Sequence, residues 1–382
     1  MILSRYIARQ IWASIALVLF ALMALFFFLD LLGEMDDVGR AGYRFQHALG
    51  YVALQMPTTL KQLLPLAALI GTITALAQLA AGSQFTIMRA AGLSPWGAVR
   101  AVLRAALLLV VITFLVGEYV APAGEIAAQT LRLRLLGQSA SSELRSGFWI
   151  KDVIFDSAGT ATGARFVNAR EVLADGSLRD IRLYEFDAEM RLRSFTVAKS
   201  AEFERAEADS GWRLHDLTET RISSRADAAR FAQPELATRT EVVHEAARLW
   251  PTTLDASIVS TAFLKPDNMS VTALWSYVEH LKLTHQKSIN YEIALWKKLI
   301  DPLTVAVMML LALPFAYLHT RSGGVSLKVF AGIMLGVAFF FLNNLSAHLG
   351  LLNGWPAWMP AALPSLLSLL IAAAWLRWVS RH

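Results

Sequence analysis

The chain contains no cysteine, which excludes disulfides, thiolate nucleophiles and thiolate metal sites. It is also poor in charge: Asp, Glu, Lys and Arg make up 17% of its 382 residues, against about a quarter in a soluble protein. No GxxxxGK[ST] phosphate loop is present, so nucleotide hydrolysis by that route is excluded. An HExxH zinc helix and a GxSxG nucleophile turn are missing too. What is abundant is apolar surface. Hydrophobic residues reach 55% and the mean hydropathy is +0.46, the composition of a membrane protein. A net charge of +5 is modest and speaks to topology rather than to nucleic acid.

The apolar residues concentrate at the two ends, in blocks at 1–136 and 268–382, around a polar insert at 137–267. Residues 1–10 form a short amphipathic lead with Arg5 and Arg9. The run 11–32 is long enough to span and has no good small-residue cleavage site, so it reads as an anchor. Span two covers about 63–81, entered through Pro57 and Pro65, and span three covers about 101–121, ending at Pro122. Spans four to six fall at about 299–318, 329–352 and 358–379.

Charge bias orients them. Between spans one and two, Asp30, Glu34, Asp36 and Asp37 outnumber Arg40 and Arg44; between two and three, Arg89, Arg100 and Arg104 stand without an acidic residue. A basic loop with His319, Arg321 and Lys328, and a tail with Arg377 and Arg381, fit the same orientation. The positive-inside rule then predicts both termini in the cytoplasm and the insert outside, in the periplasm of a cell with two membranes.

After span three a helical continuation runs to about Leu136, and in the insert the pattern turns to alternation. Residues 165–172, 180–186, 191–203, 212–222 and 238–250 read as strands, with turns at Asp175–Gly176 and Ser210–Gly211. Five or more strands without intervening helices predict a sandwich, jelly roll or open barrel. His215 and His244 lie in different strands with no ligand spacing, so no metal site is expected. Residues 268–287 read as a polar helix capped by Asn268 or Ser270 that returns the chain to the membrane.

The stretch 83–100, SQFTIMRAAGLSPWGAVR, is a polar-amphipathic island between two apolar runs. Ser83 suits an N-cap, and Phe85, Met88 and Leu93 fall roughly on one side. Gly92 suits a left-handed stop, and Ser94–Pro95 opens a new helix. About two turns of helix are marginal alone in water. From the residues alone two partners are open: another protein on the cytoplasmic side, or the membrane surface beneath an ordinary helical hairpin.

Other constellations are weaker. Ser346 and His348 stand near the outer end of span five, but residues two apart face different ways on a helix, which counts against an intramembrane hydrolase. Glu118 and Asp301 fall near the outer ends of spans three and four, where water solvates them. Arg132 and Arg134 follow span three in GEIAAQTLRLRLLG. A guanidinium there suits a phosphate at headgroup depth, and equally an interfacial anchor.

With these residues read, the chain resembles the LptF/LptG family of lipopolysaccharide export permeases, on its LptG side, over essentially its whole length. The resemblance is carried by RYI at 5–7, the pattern S-x-x-x-x-M-x-A-x-G at 83–92, GEYVAPAGE at 117–125, WIKD at 149–152 and WKKLIDPLTVAVMMLLALPF at 296–315. It implies an α-helical membrane protein with six transmembrane helices and an inserted all-β, jellyroll-like periplasmic domain. It also implies a non-catalytic subunit that extracts lipopolysaccharide from the inner membrane. The partners implied are an LptF-like permease, two LptB-like ATPase subunits, and LptC- and LptA-like periplasmic proteins. ATP and magnesium would sit on the ATPase, and this chain would bind no cofactor. Ser83, Gln84, Phe85, Met88, Arg89 and Gly92 then belong to a coupling helix on the ATPase, and Arg132 and Arg134 to lipopolysaccharide. Two departures stand out: Gln84 where members commonly carry glutamate, and Asp30, Asp36 and Asp37 where some carry lysines. A membrane-anchored periplasmic sensor or scaffold is the other class the pattern admits.

Overall fold

A computed structural model of the protein describes residues 2–40, 42–136, 148–155, 161–172, 177–204, 211–222, 240–252, 254, 259, 265–317 and 325–381. The expected turn at Asp175–Gly176, Ser210, and the loop residues His319 and Arg321 lie outside them. The helices are α1 (Ile2–Glu34), α2 (Phe45–Ala81), α3 (Gln84–Ala90), α4 (Pro95–Leu115) and α5 (Ala121–Leu136), followed after the strands by α6 (Val271–Leu283), α7 (Ile289–Ala312), α8 (Val325–Asn353) and α9 (Trp358–Arg381). A π-helical turn at Val116–Val120 makes α4 and α5 one continuous run. Among the described residues six helical segments are long and apolar enough to cross a membrane: Arg5–Asp37, Phe45–Ala81, Pro95–Arg132, Ile289–Ala316, Val325–Asn353 and Trp358–Trp378.

The chain divides into two compact units. The first comprises Met1–Leu131, Lys265–Trp275 and Ser288–His382; the second comprises Arg132–Leu264 and Ser276–Lys287. In the first, α2 is the central helix, packed against α1, α7 and α8. Its core joins Ile7, Ile11 and Ile15 of α1 to Leu64, Ala68 and Leu76 of α2, Val102 and Ala105 of α4, and Val305 and Met309 of α7. The fourfold spacing of the three isoleucines makes a single ridge along α1, which seats in the groove of its neighbour. Span two begins well before its apolar run. Pro57 and Pro65 are inside α2 and do not mark its entry. A membrane helix tolerates such prolines because surrounding helices and polar side chains re-satisfy the freed carbonyls.

The second unit is built on six antiparallel strands in sequential order: β1 (Phe148–Phe155), β2 (Ala161–Val172), β3 (Leu178–Asp187), β4 (Leu192–Glu204), β5 (Gly211–Ile222) and β6 (Thr240–Pro251). Five spacings of a flat sheet would hold β1 and β6 about 24 Å apart. Yet Thr252, just past β6, donates to Asp152 of β1 at 2.6 Å, and Arg165 of β2 lies 5.3 Å from the Trp250 ring. The sheet is therefore curled, and its inner face forms one core that includes Ile150, Val167, Ile181, Ala198, Trp212 and Trp250.

A bend crosses the sheet. Ladder pairing skips one residue in each of five strands, at Arg170, Asp180, Lys199, Asp216 and Ala246. Asp180 and Asp216 take left-handed backbone there, with φ of 49° and 52°, a conformation aspartate tolerates better than most side chains. Buried positions are consequently three apart across the line, Leu178 to Ile181, Ala198 to Ala201 and Leu214 to Leu217, where a regular strand would place them two apart.

One edge of the sheet is closed by the end of α6. His280 hydrogen-bonds from Nε2 to the Lys151 carbonyl at 3.1 Å, and Lys151 Nζ donates to Thr284 O at 2.9 Å. Burial holds the imidazole below its ordinary value of 6.5, partly offset by the Lys151 carbonyl and the nearby Asp152 carboxylate. Unfolded chain therefore takes up a proton that folded chain refuses as the pH drops below about 6.5. The contribution of neutral His280 is whole above that value and drains below it. Melting of the second unit is expected to fall by a few degrees between pH 7.5 and pH 5, and His280→Gln to flatten that fall. Equal pH slopes in the two proteins, followed by hydrogen exchange of β1, would remove His280 from this role.

Candidate functional site

Seven residues cannot sustain a helix alone, and α3 is held by its surroundings. Phe85 (2% exposed) and Met88 (8%) are buried in the core of the first unit. The Phe85 ring meets Tyr317 edge-on at 5.0 Å. Gln84 accepts from the Tyr6 hydroxyl of α1 at 3.0 Å. At the far end Gly92 has φ +97°, and Leu93 N donates to Met88 O at 2.9 Å, the six-to-one bond of a Schellman turn. Ser94 then accepts from Gly97 N at 3.1 Å, with Pro95 as the first residue of α4. The start of α3 differs from the expected cap. Ser83 has φ +58°, whereas an N-cap is normally extended. With Gly82 it makes a two-residue joint between α2 and α3, the Ser83 N–H bonded to Ala80 O.

The apolar stripe of α3 therefore faces its own protein. Phe85 and Met88 anchor the helix, and the surface turned outward carries Gln84, Thr86, Ile87 (65% exposed) and, after the turn, Trp96 (71%). Arg89 lies in the helix, and its side chain is outside the described residues. Ile87 and Trp96 were missed because amphipathic patterning finds a stripe without saying which wall it packs on. Their signal was nonetheless present: both are large apolar residues off that stripe.

Arg132 and Arg134 are both on α5, but two residues apart they point to nearly opposite sides of it, about 200° around the axis. Arg132 is half-buried and Arg134 is exposed. One helix face does not present both to a single phosphate. Ser346 donates to Pro360 O at 2.9 Å and is buried, while His348 bonds through Nδ1 to the Asn344 carbonyl at 2.8 Å. The two do not meet. His244 pairs with Thr218 at 2.9 Å, and among the described residues no three metal-ligating side chains cluster.

Six helices long and apolar enough to cross a membrane, an inserted antiparallel sheet and a short helix between the second and third of them make the architecture of a multi-pass membrane protein. The family described as "Lipopolysaccharide export system permease LptF/LptG" matches residues 5–378, and the chain belongs to it. The LptG permease protein of Escherichia coli strain K12 is 31% identical over 375 residues, covering 98% of this chain and 97% of that one. LptG of Haemophilus influenzae is 30% identical over 365 residues, covering 96% and 95%.

Proposed function

We propose that this chain is one permease half of an ABC-type lipopolysaccharide exporter in the inner membrane of a Gram-negative cell. It extracts the lipid and passes it by way of its periplasmic β-domain toward LptC- and LptA-like carriers, while ATP is hydrolysed by a separate LptB-like ATPase. The other half is an LptF-like permease. Both termini and α3 lie on the cytoplasmic side, as Arg100 and Arg104 favour by the positive-inside rule. The observation that carries the reading is α3 itself: a rigid two-turn helix anchored by Phe85 and Met88, exposing Ile87. Such an element transmits a push to both spans it joins. Gly92 and Ser83 fix its ends, and Gln84 turns its amide oxygen toward Tyr6, not outward to a basic partner. Exposed Arg134 is the stronger lipid contact of the arginine pair, with Arg132 supporting from the half-buried side. The β-core is filled by Trp212 and Trp250, so a lipid passing through that domain must open it.

The test is co-purification in detergent with lipid analysis by mass spectrometry. Wild type is expected to carry an ATPase, a second six-span chain and bound lipopolysaccharide. Ile87→Asp should lose the ATPase while folding normally, and Arg134→Glu should keep it but lose lipid-stimulated ATP turnover. A folded wild-type protein with no ATPase and no lipid would favour the scaffold reading.

A further inference from the structure

Three spans of the first unit each send one charged side chain to the same five residues. Lys61 of α2 donates from Nζ to the Asp267 carbonyl at 3.4 Å. Lys298 of α7 donates to the Met269 carbonyl. Glu118, in the π-helical turn of span three, accepts the Val271 N–H through both carboxylate oxygens, at 2.9 and 3.1 Å. Alternate residues of 267–271 are thus held in turn, two carbonyls by ammonium groups and one amide by a carboxylate. Asp301 lines the same small pocket with Thr113 and Gly117, so two lysines and two carboxyl groups meet there. Met269 is fully buried, and Lys298 nearly so.

Ionisable groups within spans cost several kcal/mol unless they are partnered. Here the partners are main-chain atoms of one short segment, which is more than packing that segment requires. Val271 opens α6, and its amide is one of the orphan donors at the positive end of the helix, where a carboxylate is a favoured anchor. Glu118 reaches it from a π-turn, which holds an extra residue against the α-helical register. Relieving that extra residue would rotate Glu118 by about 100° relative to the helix before it. The run that carries this turn starts at Pro95, directly after the Ser94 cap that follows α3.

We infer that Lys61, Glu118 and Lys298 form a charged clamp through which movement of spans two to four is passed to segment 267–271 and the helix it starts. The inference rests on the transport reading for its driving force. It adds Glu118 as a positioning residue between the coupling helix and the return segment, whose helix runs on to Leu283.

Two readouts on the complex as isolated from cells test it, in vesicles containing lipopolysaccharide. Lipid release and ATP turnover are measured together, and amide exchange of 267–271 is followed with and without a non-hydrolysable ATP analogue. Glu118→Ala is expected to leave ATP turnover within twofold of wild type while release falls at least tenfold. Glu118→Gln, whose amide oxygen still accepts the Val271 N–H, should keep an intermediate rate and serves if the alanine variant does not assemble. In wild type the analogue should change exchange at 267–271 at least threefold, and the change should vanish in Glu118→Ala. Lipid release without any nucleotide-dependent exchange change overturns the clamp and leaves the transport reading intact. The exchange change without lipid release supports the clamp and sinks the transport reading. Release and turnover that fall in proportion overturn the clamp, because Glu118 would then serve assembly alone.

Discussion

Gly71→Leu is expected to separate α1 from α2 and to lower the melting temperature of the membrane block. A Cβ at this position would lie 2.6 Å from Ile15 Cα and 2.7 Å from Ile15 N. Those are backbone atoms of the facing helix, and they cannot swing aside. The ridge of Ile7, Ile11 and Ile15, each almost wholly buried, is seated only while α2 presents no side chain there. Forced apart, α1 loses most of what it buries, because α2 and α4 are its main partners. Overpacking a close helix contact costs about 3 kcal/mol at the upper end of its usual range. Gly332 supplies the control. Its Cβ would meet the Cδ1 of Ile73 at 2.5 Å, the far end of a flexible side chain, so Gly332→Ala should cost little by comparison. Thermal unfolding in detergent measures both. A Gly71→Leu protein melting within a degree of wild type would falsify the packing described for α1.

Much of this architecture was legible because the rules that produce it are local. A bilayer demands about twenty apolar residues per span, and all six spans could be read from that demand. Gly92 and Ser94–Pro95 could be placed because capping chemistry involves only neighbours in the chain. The long start of α2 was hidden, since its first turns mix polar residues with Pro57 and show no uninterrupted apolar run. Strand β1 was missed for a different reason. Asp152 occupies an inward position, fully buried beneath Thr252 and Arg165, and breaks the apolar alternation that betrays a strand. The bend through Asp180 and Asp216 replaces a spacing of two by a spacing of three, a pattern that a period-two search discards. At the site, the helix and its Gly92 end were readable, but its start at Ser83 and its orientation were not. Phe85 and Met88 pack inward because Tyr317, more than two hundred residues later, supplies the wall. The clamp on 267–271 was beyond sequence reasoning altogether. Lys61, Glu118 and Lys298 are ordinary interfacial charges until three spans are placed side by side.

Trp212→Ala is expected to collapse the β-domain while leaving the helical spans folded. Trp212 is the largest fully buried side chain among the described residues, at 0% exposure. Its ring meets Phe203 edge-on at 5.4 Å, it lies opposite Trp250 in the β5–β6 ladder, and its Nε1 donates to the Leu254 carbonyl at 2.9 Å. One side chain thus ties the start of β5 to the segment that leaves β6. Truncating it removes the packing of a large ring, about 4 kcal/mol, and strands a buried carbonyl, on the order of 1 kcal/mol more. That sum rivals the whole stability of a small domain. The two contributions are separable. Trp212→Phe refills most of the volume yet still lacks the donor to Leu254, so it should lose roughly the smaller amount and remain folded. Limited proteolysis of the full chain, with fragments located by mass spectrometry, reports where structure is lost. Cleavage should appear between β3 and β6 in Trp212→Ala at temperatures where wild type resists, while far-ultraviolet circular dichroism keeps its helical signal. Because the spans keep their own core, α3 stays anchored by Phe85 and Met88. On the proposed transport reading, the variant should therefore still hold an LptB-like ATPase while failing to export. Loss of that partner together with the β-domain would mean that the two units do not fold independently.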